Sequence, residues 1–155
     1  MSQGLSVVIP THRRPDKIAA CLDALAASDY PHGLLQVLVV EDGGPTDELA
    51  ELRARPFDPL ELIWLDQPHA GPAVARNLGA QHATRELVAF TDDDCCPRPD
   101  WARRLDAQLR SSPGSVVGGH TVNKVVGNLW SSASQALVTY ITARGQQADG
   151  EPFFA

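Results

Sequence analysis

Short apolar runs along this chain alternate with stretches in which apolar residues recur every three or four positions. Leu5-Ser6-Val7-Val8-Ile9, Leu35 to Val40, Leu60 to Leu65 and Glu86 to Phe90 are rich in large or β-branched residues and bounded by Pro, Gly or charge. They predict strands. Leu35 to Val40 is nearly all apolar, as expected of a strand covered by helices on both faces. Ile18, Cys21, Leu22 and Leu25 fall at i, i+3, i+4 and i+7 and predict a helix from Asp16 to near Ser28. Thr46 or Asp47 can cap a helix running to about Arg55. Gly71-Pro72 open another, running to about Ala83 with Val74 and Leu78 on its buried side. Pro99-Asp100 start one that carries Trp101, Leu105 and Leu109 on one face. A further strand over Ser115 to Val122 and a Ser/Thr/Ala-rich helix from Leu129 to about Ala143 complete the pattern. Strand and helix alternating in this way predict an α/β fold. Its sheet is mostly parallel and Rossmann-like, with helices on both faces and right-handed crossovers.

Composition narrows the class. The chain has 155 residues, 43% of them hydrophobic, enough for one domain over 1–155 with a sizeable core. A net charge of −6 and the lack of a basic stripe argue against nucleic-acid binding as the main role. No apolar run is long enough to cross a bilayer, and no basic-then-apolar leader is evident. A cytoplasmic location is therefore expected, either free or peripheral to the inner face of a membrane. Three cysteines make no disulfide framework and lack zinc spacing. Cys95-Cys96 reads as a pair of reduced packing residues and Cys21 as a helix core position. Phe153-Phe154-Ala155 looks like the beginning of an apolar element, so the chain is expected to be truncated. Homo-oligomerisation through the late Ser/Thr/Ala-rich helix is left open.

The chemistry concentrates where strands end. Val88-Ala89-Phe90-Thr91 runs directly into Asp92-Asp93-Asp94. Adjacent carboxylates repel one another, and a divalent cation such as Mg2+ or Mn2+ relieves that repulsion through hard oxygen ligands. A solvated acidic turn capping the next helix is the plain alternative. Four loops follow successive strands: Pro10-Thr11, Glu41-Asp42-Gly43-Gly44, Ala70-Gly71 and Asp92-Asp93-Asp94. A parallel sheet brings such loops to one edge, where ligands bind in open α/β folds. Asp42 can accept a hydrogen bond from an imide N–H such as that of uracil, or serve its own turn. Arg76, with Asn77 beside it, sits near a helix N-terminus, where a ligand anion would offset its unfavourable position; pairing with a nearby acid is the alternative. Thr11 can offer its hydroxyl or backbone to the same edge, or cap its loop. His12, His69 and His120 read as structural or solvent-facing, and Arg13-Arg14 as solvated helix-terminal charge. Trp101 is expected to pack under the acidic loop, and Trp64 and Trp130 in the core. Neither G-x-G-x-x-G after the first strand nor G-x-x-x-x-G-K-[ST] occurs.

Taken together, Ser6-Val7-Val8-Ile9-Pro10-Thr11, Val39-Val40-Glu41-Asp42-Gly43-Gly44, Gly71-Pro72-Ala73-Val74-Ala75-Arg76-Asn77 and Phe90-Thr91-Asp92-Asp93-Asp94 resemble the family 2 glycosyltransferases of the GT-A fold. The motifs keep the family's order and fall within residues 5–105. The resemblance implies an inverting, metal-dependent transfer from a nucleotide-diphosphate sugar, UDP-sugars being favoured through Asp42, to a saccharide, lipid or other hydroxyl acceptor. It implies that Pro10, Thr11, Asp42, Gly71, Arg76, Asp92 and Asp93 hold the nucleotide. It also implies that Asp92-x-Asp94 is the family's D-x-D motif, with Asp94 on the metal and Asp92 near the ribose and the cation. Glu41 and Gly44 depart mildly from the usual Asp-Asp-Gly-Ser. Nothing after Val122 matches the acceptor half, so 123–155 is expected to begin that half and the general base to lie beyond Ala155. A sugar-nucleotidyltransferase would normally carry a Gly-rich basic loop after the first strand, which Thr11-His12-Arg13-Arg14-Pro15 lacks. A non-catalytic nucleotide-binding or interaction module is the other alternative.

Overall fold

The computed structural model describes residues 2–119 together with 121, 122, 133, 135 and 136. Its elements run β1 (Ser2–Thr11), α1 (Pro15–Ala26), a 3-10 turn (His32–Leu34), β2 (Leu35–Asp42), α2 (Asp47–Ala54), β3 (Glu61–Gln67), α3 (Pro72–His82), β4 (Arg85–Phe90) and α4 (Trp101–Ser111). These belong to the unit Met1–Val117; Gly118–Ala155 forms a second unit. The four strands are parallel in the order β3-β2-β1-β4.

Strand alternation divides the core in two. Leu5, Val7 and Ile9 of β1 and Leu35, Val37 and Val39 of β2 face a large cluster. Helix α1 covers it with Ile18, Cys21, Leu22 and Leu25, aided by Leu49 of α2 and Ala102 of α4. Val8, Leu38 and Val40 point the other way, against Ala75 of α3. Two apolar faces per strand are why β2 reads as a continuous hydrophobic run. Trp101 and Trp64 are partly buried against the larger cluster. Cys21 is buried there, and the low-dielectric surroundings push its thiol up to about 12, so it stays protonated. All three cysteines are free thiols, although Cys96 is exposed rather than packed.

Three expectations need correction. β1 does not stop at Pro10: pairing with β4 ends at Val8 opposite Phe90, but pairing with β2 continues to Thr11 opposite Glu41. Pro10 is tolerated because it stands where the ladder has become one-sided. Val74 is 47% exposed; the buried face of α3 is Ala75 and Gly79, with Leu78 partly buried. Gly79 lies so close to Val8 that the helix turns its small residues, not its bulky ones, to the sheet. The expected strand at Ser115 to Val122 is absent among its described residues. Val116 is fully exposed and Val122 76% exposed, and among the described residues no strand pairs with them to bury them. The expected Leu129–Ala143 helix lies outside the described residues except Ala133, Gln135 and Ala136, which are helical. Trp130 and His120 also lie outside them. No helix among the described residues is long and apolar enough to cross a membrane.

Candidate functional site: a ring of four loops

The loops following β1, β2, β3 and β4 are tied to one another at the carboxyl edge of the sheet. Loop one meets loop four where Thr11 Oγ1 donates to Asp93 Oδ2 at 2.8 Å. Loop one meets loop two where Arg13 N donates to Glu41 Oε1 at 3.1 Å. Loop two meets loop three where Ala70 N and Gly71 N donate to the Asp42 carboxylate at 2.7 and 2.9 Å. Helix α3 meets loop four where Arg76 Nη2 donates to Asp92 Oδ1 at 2.6 Å. The ring is closed.

Strand alternation sends Glu41 and Asp42 to opposite faces at the end of β2. Asp42 points toward α3, beside its register partner Gln67, whose Nε2 donates to Oδ1 at 2.7 Å. With the amides of Ala70 and Gly71 it accepts three hydrogen bonds at the entry to α3. Burial pushes its carboxyl up, but these donors outweigh burial and hold the pKa at about 2. His69 Nδ1 lies 2.9 Å from Asp42 Oδ2, and His12 Nδ1 donates to the Asp42 carbonyl oxygen. The two imidazole rings are 4.5 Å apart, centre to centre. Glu41 is fully buried with Oε2 unpartnered, and burial raises its pKa despite the Arg13 amide. Arg13 takes φ 53 to aim that amide, a left-handed conformation uncommon outside glycine.

The acidic loop splits by burial. Asp93 is buried, while the side chains of Asp92 and Asp94 are 58% and 51% exposed. Burial raises the Asp93 pKa, opposed by the Thr11 hydroxyl and by Arg14, whose Nε lies 3.3 Å away. Arg14 Nη1 also reaches Asp94 Oδ2 at 3.3 Å. The three carboxylates therefore share two guanidiniums, Arg14 and Arg76, which offset their mutual repulsion. Asp92 and Asp94 are the accessible pair of hard oxygen donors suited to a divalent cation.

Every residue singled out in the four loops lies at this edge, with roles the chain alone left open. Asp42 serves the backbone of the neighbouring loop rather than its own turn, and Arg76 pairs with an acid, Asp92. Four participants escaped the sequence reading. Arg14 stands at the N-terminus of α1 and is half exposed, as expected, but it is also an ion-pair partner of Asp93 and Asp94. His12 and His69 are not isolated residues but meet on Asp42. Gln67 is the buried donor beside it. For Gln67 a signal existed, since a parallel register sets the last residue of β3 beside the last of β2. Asp100 is engaged by Arg98 and Arg104.

Comparison with known proteins follows the same lines. The model of the family described as "Glycosyl transferase family 2" matches residues 6–154. Glycosyltransferase AglE of Haloferax volcanii is 32% identical over 118 residues, covering 75% of this chain and 38% of AglE. The chain thus spans little more than a third of that relative. Among solved structures, TarS of S. aureus in complex with UDP-GlcNAc superposes with a TM-score of 0.64 at 23% identity, covering 79% of this chain and 39% of TarS. The mannosyltransferase PcManGT from Pyrobaculum calidifontis, in complex with GDP-Man and Mn2+, superposes with a TM-score of 0.59 at 28% identity. That match covers 76% of this chain and 34% of PcManGT.

Proposed function

The chain belongs to glycosyl transferase family 2, and from that premise we propose that its ring of loops holds the donor of an inverting sugar transfer from a nucleotide-diphosphate sugar to an acceptor hydroxyl. The observation that carries this reading is the closure of the ring. A pyrophosphate is compact, and gripping it needs groups from several loops held in one place. Asp94 and Asp92 are the residues that would hold Mn2+ or Mg2+. When bound, such an ion stabilises charge developing on the leaving diphosphate as a Lewis acid. Arg76, already at the rim beside Asp92, contributes a charge-assisted donor. Thr11 and Pro10, buried beneath the rim, and Gly71, whose amide holds Asp42, support the approach from below. A base imide N–H takes the place of His69 at Asp42 Oδ2, which favours uridine. PcManGT, with GDP-Man and Mn2+, supports the donor class and the metal.

The base that deprotonates the acceptor lies outside these groups. Asp93 is committed to Thr11 and Arg14, and Asp100 to two arginines. On this reading the base is a carboxylate other than these two, and the acceptor is a saccharide, lipid or other hydroxyl compound. Calorimetry with UDP and GDP, with and without Mn2+, tests the reading. Mn2+ should tighten UDP binding at least tenfold, and Asp94→Asn should abolish that tightening. Metal-independent binding, or an Asp94→Asn variant with unchanged metal response, would refute it.

A further inference from the structure

We propose that His12, Asp42 and His69 form a second cation site, selective for a transition metal of the Zn2+ class and separate from the Asp92–Asp94 carboxylates. Three loops far apart in the chain supply one ligand atom each, all within 4.8 Å of one another. Both imidazoles turn their Nδ1 edge toward Asp42, His69 at 2.9 Å from Oδ2 and His12 at the carbonyl oxygen. Gly43 is what lets them close over it. A Cβ there would stand 2.9 Å from His12 Cε1 and Nδ1 and 3.8 Å from His69 Cβ.

Two imidazoles and one carboxylate are a zinc donor set with a fourth position left open. Mg2+, which wants oxygen and near-octahedral geometry, is served better by the acidic loop. Metal–ligand bonds of about 2.0–2.2 Å set the ligand atoms of a tetrahedral site roughly 3.3 Å apart. The cluster can tighten to that spacing from one side. Asp42 is pinned by Gln67, Ala70 and Gly71, while the side chains of His12 and His69, 42% and 66% exposed, have room to rotate. Bound Zn2+ would then occupy the Asp42 edge assigned above to the nucleobase and antagonise donor binding; this consequence rests on the proposed function.

The test is calorimetric titration of Zn2+ alone into the full 155-residue chain. One equivalent should bind. His12→Ala and His69→Ala should each weaken it at least tenfold while circular dichroism stays unchanged, and a Cys95→Ser/Cys96→Ser variant should bind as the parent does. With Co2+ substituted, the absorption spectrum should show a nitrogen–oxygen site without thiolate charge transfer. No Zn2+ binding, binding indifferent to both histidine substitutions, or loss only in the cysteine variant would overturn the site. A UDP titration with and without Zn2+ separates the two readings. Unchanged UDP affinity in Zn2+-loaded protein would overturn the antagonism alone. Failure of UDP to bind under any metal would overturn the donor assignment and leave the Zn2+ result standing.

Discussion

Replacing Gly79 with Ala sets two opposed terms against each other on the helix that carries Arg76 to the rim. A Cβ at Gly79 would lie 2.3 Å from Val8 Cγ1 and 3.2 Å from both Val8 Cγ2 and Val40 Cγ2. Carbon atoms in favourable contact sit about 3.5–4.0 Å apart. Val8 is fully buried and β-branched, so turning its Hβ toward the new Cβ swings a methyl into a sheet face already filled. Helix α3 must lift, or the sheet must yield. Ala in a helix interior gains about 1 kcal/mol over Gly. Overpacking costs about 1–3 kcal/mol, and a contact this short against two central strands belongs at the upper end. The expected net effect is a loss of about 1–2 kcal/mol. In urea unfolding followed by circular dichroism this appears as a lower midpoint at unchanged slope. A Val8→Ala background supplies the diagnostic. There Gly79→Ala should be neutral or favourable, giving a coupling of about 1–2 kcal/mol. If Gly79→Ala instead stabilises the otherwise unaltered chain by its full helix propensity, the close packing of α3 on β1 is wrong.

Other predictions follow from the rim. The folded pKa of Asp42, about 2, lies below its ordinary 3.8, so the ionised carboxylate stabilises the fold above the ordinary value. That stability is lost as pH falls through about 2. Asp42→Asn, which faces the amides with fewer acceptor lone pairs, should cost about 1.5–3 kcal/mol at pH 7; urea midpoints should converge with the parent on acidification, and a pH-independent difference would contradict the assignment. Glu41 has the opposite sign, its raised folded pKa favouring the protonated form, so stability falls as pH rises through that value. Glu41→Gln should remove this loss in thermal melts across pH, and a steeper loss would count against it. Thr11→Val strips buried Asp93 of its hydroxyl donor and should cost about 1–3 kcal/mol by denaturant unfolding. Arg14→Ala frees Asp93 and Asp94 from their shared guanidinium, so Mn2+ measured without nucleotide should bind a few-fold tighter; weaker binding would mean that Arg14 assists the cation instead.

The chain by itself determined its elements and the edge at which its chemistry gathers. Apolar runs bounded by Pro, Gly or charge, helical spacing and capping signals are properties of consecutive residues, so β1 to β4 and α1 to α4 were legible along the chain. Parallel strands separated by helices put their following loops on one side. Which side chains meet within that edge was decided only by tertiary structure. Sheet order brings Thr11 to Asp93, 82 positions away, and Asp42 to Gly71, 29 positions away. Local pattern cannot register such pairs, which is why His12, His69 and Arg14 read as ordinary polar residues. The same holds for α3, where Val74 and Leu78 formed the apolar stripe but Val74 is exposed and Ala75 and Gly79, flanked by Leu78, form the contact. A helix selects its buried face by how closely its partner can approach, and that distance exists only once β1 and β2 lie beneath it.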